Sequence, residues 1–303
     1  MNFVDKRKWF FLFSLLVIVP GVIFLIIAPG LNPGIDFIGG SSTNLSFESE
    51  VNQNNVRIEL SRLGHTDATV QTLGDGTFEI RTKELDESSK KELVETLQNQ
   101  LSPEGVTVLS FDLVSPMVAR ETVVAALWAI LFAAIGIFFY LWWAFRSVPN
   151  PFRYGVAAIV ALIHDTLVVV GIFAILGELL GIEVNTMFLI ALLTVIGYSV
   201  NDTIVVFDRL RENITIYPNR TLQDNANMSI SESMGRSVNT SLTLLLTLIA
   251  LILFGGETIR VFLWVLMIGV IAGTYSSLGI ATPMLVAWES GDLNLRRIFR
   301  RKR

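Results

Sequence analysis

Long apolar runs free of charge alternate along this chain with one polar stretch of a different rhythm. Residues 9–35, 122–145, 184–201, 237–256 and 261–288 contain no Asp, Glu, Lys, Arg or His, and a further run, 154–177, is interrupted only by His164 and Asp165. A helix needs roughly 20 mostly apolar residues to cross a bilayer. The pattern therefore predicts six membrane-spanning helices, near 9–28, 122–145, 154–177, 184–207, 237–256 and 259–288. Between the first and second, short alternating segments replace the continuous runs. Ser42–Phe47 reads as a strand, and Asn54–Leu63 as a helix with Val56, Leu60 and Leu63 on one face. Ala68–Leu73 and Thr77–Thr82 flank Gly74-Asp75-Gly76, a hairpin turn signature. Glu87–Leu101 reads as a second helix and Val106–Phe111 as a last strand. Strand, helix, strand, strand, helix, strand is the ferredoxin-like order, which hosts many functions and specifies none.

The predicted fold class is an α-helical polytopic membrane protein with six transmembrane helices and one small α+β ferredoxin-like extracytoplasmic domain. The predicted organisation is an N-terminal tail and first helix (1–35), the extracytoplasmic domain (36–119), a five-helix bundle (120–291) and a basic cytoplasmic tail (292–303).

Composition agrees with a membrane location. Apolar residues make up 52% and charged residues 17% of 303, with mean hydropathy +0.58, against about 25% charged in soluble domains. The first run follows Lys6, Arg7 and Lys8, as in a signal peptide, but it is too long and lacks a small-residue cleavage pattern, so it reads as a retained anchor. Lys and Arg set orientation. Lys6, Arg7, Lys8, Arg146, Arg153, Arg209, Arg211, Arg220 and the cluster Arg296–Arg303 lie on one side. The short loops opposite carry Arg260 among Glu178, Glu183 and Glu257. Both termini are thus expected in the cytoplasm and 36–119 outside. Cysteine is absent, which excludes disulfides and thiolate chemistry, and a net charge of −4 provides no field for nucleic acid. No phosphate-binding loop, dinucleotide fingerprint, zinc-protease or nucleophile-elbow motif occurs, so the reading is non-enzymatic and without cofactor.

Candidate chemistry lies in the polar groups at membrane depth, where an ionisable side chain is costly unless paired or hydrated. Asp202 falls late in the fourth span, within Gly197-Tyr198-Ser199-Val200-Asn201-Asp202-Thr203, with Ser199 and Tyr198 one turn back on its face. It reads as a carboxylate that exchanges protons, or as a paired acid joining two helices. Arg236 opens the fifth span and is the candidate counter-cation, or else a snorkelling interface residue. Asn239, Thr240, Thr243 and Thr247 continue from it as a polar stripe that lipid does not tolerate. His164 and Asp165 sit mid-span in the third helix. As sequence neighbours they point about 100° apart, which predicts one pairing across the bundle and the other packing locally, as a proton relay or a structural pair. Gly269 and Gly273 make a close-packing G-x-x-x-G spacing.

Several segments together resemble a known family. Gly34-Ile35-Asp36-Phe37-Ile38-Gly39-Gly40 is similar to the G-x-D-F-x-G-G signature of the SecD/SecF protein-export family. Ile196–Arg209, Arg236-Ser237-Val238-Asn239-Thr240-Ser241 and Gly273-Thr274-Tyr275-Ser276-Ser277 resemble its SecF members. The resemblance spans the chain. It implies a subunit of the bacterial inner membrane that pairs with SecD into a twelve-helix assembly similar to resistance–nodulation–division transporters. It implies contact with the SecYEG channel, with accessory proteins similar to YajC and YidC, with lipid and with the translocating polypeptide, and the proton-motive force as energy source. It assigns Asp202 and Arg236 to the proton pathway. Asn201, Ser199, Asn239, Thr240, Thr243, His164 and Asp165 are expected as supporting polar groups, and Asp36, Gly39 and Gly40 as the family motif outside the first helix. A half-size exporter of lipids or small molecules and a scaffold without a titrating acid stay open as alternatives.

Overall fold

The computed structural model describes residues 2–27, 30–74, 76–256 and 259–291. Asp75 in the predicted turn, Glu257, and the basic tail with Arg296–Arg303 lie outside these residues. The described residues fall into two compact units, one within Met1–Asn32 and Trp128–Arg303, the other within Pro33–Leu127.

In the first unit the apolar runs are helices: α1 (Arg7–Ile27), entered by a 3-10 turn, the second half of α5 (Pro116–Ala144), α6 (Pro151–Leu180), α7 (Thr186–Ile216), α8 (Leu222–Phe254) and α9 (Arg260–Ser276). A five-residue π-helical stretch, Ser277–Ala281, joins α9 to α10 (Thr282–Glu289). Among the described residues, six helical spans are long and apolar enough to cross a membrane, so the protein is a multi-pass membrane protein. The helices outrun their apolar cores: α7 continues to Ile216, and α8 starts at Leu222, capped by the Thr221 side chain on the Asp224 backbone N–H at 3.1 Å. Polar residues carry these extensions, with Arg209 paired to Glu232 at 2.7 Å and Asn213 bonded to Ser229 at 2.9 Å. Most buried surface sits on α6, α7 and α9, whereas α1, α5 and α8 present many large apolar side chains outward. A core of Leu141, Phe145, Tyr154, Phe207, Ile230 and Leu285 closes one end, with Tyr154 stacked on Phe145 and edge-on to Phe207.

Close helix approaches occur where side chains vanish. A Cβ added at Gly21 of α1 would stand 2.6 Å from the Gly171 Cα of α6. A Cβ at Gly269 of α9 would meet Val195 of α7 at 2.2 Å, and one at Gly273 would meet Ser199 at 3.0 Å. Gly269 and Gly273 thus pack as their spacing predicts.

The second unit is the α+β domain: β1 (Gly40–Phe47), α3 (Gln53–Arg62), β2 (Thr69–Gly74), β3 (Thr77–Thr82), α4 (Glu87–Leu101) and β4 (Val106–Val114), preceded by the short α2 (Ile35–Ile38). The sheet is antiparallel in the order β2-β3-β1-β4, as a ferredoxin-like fold requires. Leu45, Phe47, Val56, Leu60, Phe78, Ile80, Leu93 and Leu97 form its core. Gly39 and Gly40 turn the chain from α2 into β1 with φ of +83° and +130°, and a Cβ at Gly40 would meet the Thr82 carbonyl at 2.6 Å. The paired glycines after Asp36 therefore answer a backbone demand that no other residue meets without strain.

Candidate functional site

Two carboxylates are buried inside the helical unit, each ringed by hydroxyls from other helices. Asp202 of α7 is 8% exposed. Its Oδ1 accepts from Ser237 Oγ of α8 at 2.6 Å, and its Oδ2 from Ser277 Oγ in the π-helical stretch at 2.6 Å. Asp165 of α6 is 2% exposed. Its Oδ2 accepts from Ser276 Oγ at 2.7 Å and from Ser199 Oγ of α7, and its Oδ1 faces His164 Nδ1 at 2.9 Å. His164 Nε2 lies 2.9 Å from Ser14 Oγ of α1, which lies 3.2 Å from the Tyr275 hydroxyl. Tyr275 in turn donates to the Phe10 carbonyl at 2.6 Å.

One short segment organises both centres. Thr274, Tyr275, Ser276 and Ser277 are consecutive, and successive helical residues point about 100° apart, so together they address four directions. Thr274 meets Ser241 of α8. Tyr275 meets α1, Ser276 meets Asp165, and Ser277 meets Asp202. The π-helical stretch begins at Ser277. Upstream, Gly269 opposes Val195 and Gly273 opposes Ser199, a constant offset of 74 in numbering, whereas Ser277 opposes Asp202, an offset of 75. The π-helical stretch starts at this contact, with the Ser277 N–H still bonded to the Gly273 carbonyl four residues back, and such stretches recur at functional sites.

The expected site residues divide between two faces. Ser199 bonds Asp165 rather than Asp202, although it shares a helix face with the latter. Tyr198 pairs with Ser241 at 2.9 Å. Asn201 points outward. His164 and Asp165, expected to diverge, bond one another and also reach across the bundle, because the imidazole is long enough to fold back onto the adjacent carboxyl. Arg236 is exposed, and among the described residues it pairs with no carboxylate. The expected Arg236–Asp202 contact is replaced by Ser237, which one residue of helical rotation turns inward. Asn239, Thr240, Thr243 and Thr247 share the exposed face of Arg236, and the three threonines bond the carbonyls four residues back. Sequence reasoning missed the opposite row of α8. Ser229, Ser233, Ser237 and Ser241 recur every fourth residue and are all buried. That strict spacing was the available signal, and the hydroxyl cluster at Thr274–Ser277 was a second.

Comparison with known proteins follows the same lines. Residues 93–291 match the family model described as protein export membrane protein SecD/SecF, C-terminal, and residues 24–51 match the SecD/SecF GG motif. A protein named protein translocase subunit SecF from Thermobaculum terrenum is 44% identical, covering 98% of this chain and 97% of its own. Another of that name from Anaerolinea thermophila is also 44% identical, covering 96% and 95%. The crystal structure of SecDF, a translocon-associated membrane protein from Thermus thermophilus, superposes with TM-score 0.83 at 32% identity. It covers 96% of this chain, which spans 39% of the length of that one.

Proposed function

We propose that this chain, which belongs to the SecD/SecF family of protein-export membrane proteins, works as the SecF subunit of the bacterial Sec machinery and draws on the proton-motive force to promote translocation. The observation that carries the proton-coupled part is Asp202: a carboxylate buried at membrane depth whose partners, among the described residues, are two serine hydroxyls and no cation. Ionised, it accepts both hydroxyl protons. Protonated, one of its oxygens becomes a donor, so one serine must turn from donor to acceptor. Ser277 has an alternative ready, since its Oγ also lies 3.0 Å from the Thr274 carbonyl. Each proton event at Asp202 thus rewires the junction of α7, α8 and the π-helical stretch. A charge change in a desolvated site is worth kcal/mol, enough to bias a two-state packing.

The outward polar face of α8 supports a partner. Arg236 and Asn239 cannot face lipid without cost, and the exposed row they form with Thr240 and Thr243 suits an adjoining helix of SecD. Arg236 then acts on that side of the pathway, as a fixed cation for the partner's groups. The basic flanks of the spans orient both termini to the cytoplasm, with the α+β domain outside, where it engages the emerging polypeptide as the assembly meets the SecYEG channel. The chain itself performs no covalent chemistry in this reading. The test is export into inverted membrane vesicles with and without a proton gradient. Asp202→Asn keeps size and hydrogen bonding, and is expected to abolish gradient-stimulated export while SecD still copurifies. Full stimulated activity in this variant would overturn the proton-coupled role.

A further inference from the structure

Hydrogen-bond directions around His164 assign a second proton store. Tyr275 has one hydroxyl proton, and it is committed to the Phe10 carbonyl, which can only accept. The Tyr275 oxygen therefore accepts from Ser14, whose single proton is spent on that bond. The Ser14 oxygen has only lone pairs left for His164, so Nε2 must carry a hydrogen. On the other edge of the ring, Nδ1 faces Asp165 Oδ1 at 2.9 Å. A bare nitrogen opposite a carboxylate oxygen would set two lone pairs against each other, so a proton lies between them. Asp165 also receives hydroxyl protons from Ser199 and Ser276 on its other oxygen. With Asp165 acting as the acceptor in each of these contacts, the shared proton rests on the ring.

We infer that His164 is held as an imidazolium against an ionised Asp165, so that this pair stores one proton inside the membrane as a site separate from Asp202. The ionisable groups facing the pair are Tyr275 from α9 and, one turn further along α7, Asp202, whose oxygens are engaged by Ser237 and Ser277. From α1 the Ser14 hydroxyl meets the ring. The pair is nearly free of solvent, and the Gly21–Gly171 crossing holds α1 close enough to α6 for Ser14 to reach. The store has a built-in link to conformation. If the proton leaves, Nδ1 repels Asp165 unless Ser14 reverses its hydroxyl and lets the remaining ring proton sit on Nδ1. That reversal breaks the Ser14–Tyr275 bond, which ties α1 to α9. The inference deepens the proton-coupled reading and rests on it for any use in transport, but not for the protonation state itself.

Nitrogen-15 NMR of the full chain in lipid bilayers, labelled at histidine, reads that state directly. The chain has two histidines, His65 and His164, so a His65→Gln background leaves one ring to observe. At neutral pH both ring nitrogens of His164 are expected to carry protons. A neutral ring, with one bare nitrogen, would overturn the inference whatever the export assay shows. Tyr275→Phe provides the second arm, since it removes a hydroxyl that His164 does not touch. Ser14 is then free to donate, and the ring is expected to become neutral with its proton on Nδ1. An imidazolium that persists unchanged in Tyr275→Phe would show that the chain of donors does not set the state of His164, and would overturn the link from the pair to the Ser14–Tyr275 contact.

Discussion

At the scale of single residues, the hydroxyls decide what the acids can do. A hydrogen bond to a charged group is worth about 1.5–3 kcal/mol. Ser277→Ala is therefore expected to destabilise the protein by about that amount while Asp202 is ionised. In an Asp202→Asn background the same change is expected to cost clearly less, because the remaining bond is between neutral groups. Thermal unfolding of the four variants in detergent gives the coupling, and equal costs in both backgrounds would separate the two residues. Arg236 has a different expectation. Its side chain stands on the exposed face of α8, so Arg236→Met should leave stability of the isolated chain within about 0.5 kcal/mol and impair gradient-stimulated export in the assembled complex. A large loss of stability in the isolated chain would place the guanidinium inside the bundle instead.

At the scale of elements, packing distance sets which side chains meet. The α7–α9 approach depends on Gly269, where a Cβ would overlap Val195 at 2.2 Å. Gly269→Ala is expected to cost about 1–3 kcal/mol from overpacking, and Val195→Ala in the same chain should recover much of it. Failure of that rescue in the detergent unfolding assay would remove Val195 as the cause. The two faces of α8 make a second contrast. Because the chain has no cysteine, single cysteines can be placed without background. A cysteine at Thr243, on the outward face, is expected to cross-link to a SecD helix in membranes, and one at the buried Ser241 is not. The reverse pattern would exchange the roles of the two faces.

At the scale of the whole molecule, the α+β domain has its own core and a closed set of strand pairings. Residues 40–114 are expected to fold alone, with a cooperative unfolding transition by circular dichroism, and a random-coil spectrum would refute this. Asp86 supplies a pH signature. It caps α4, and hydrogen bonds from Ser89, through side chain and backbone, and from Ser88 hold its carboxyl below the usual range. A carboxyl depressed on folding contributes stability that is present above its unfolded value and is lost as pH falls through the folded one. The domain should therefore weaken in acid below the ordinary carboxylate range, and Asp86→Asn should flatten that part of the pH profile. Identical profiles for the two domains would remove Asp86 as the source.

Periodicity and charge alone determined the six spans and the strand–helix order of the α+β domain, because burying apolar surface against lipid or a small core imposes rhythms that are local in sequence. Ser42–Phe47 and Glu87–Leu101 emerge in place for that reason, the strand gaining only Gly40 and Ser41 at its start. Asp202 and Asp165 were equally visible, since an acid in an apolar run stands out. Their partners were not. Ser14, Ser237, Ser276 and Ser277 lie far from the acids in sequence, and serine is unremarkable by composition. Helix rotation and register choose which hydroxyl meets which carboxylate, with the Gly21–Gly171 contact bringing α1 close to α6 and Gly269 and Gly273 bringing α9 close to α7. On α8 the 100° step between neighbours put Ser237 inward and Arg236 outward. Ser277 met Asp202 one residue out of step with the Gly269 and Gly273 contacts, an offset no spacing rule contains. Local pattern chose the elements, and side-chain volume at the crossings chose the site.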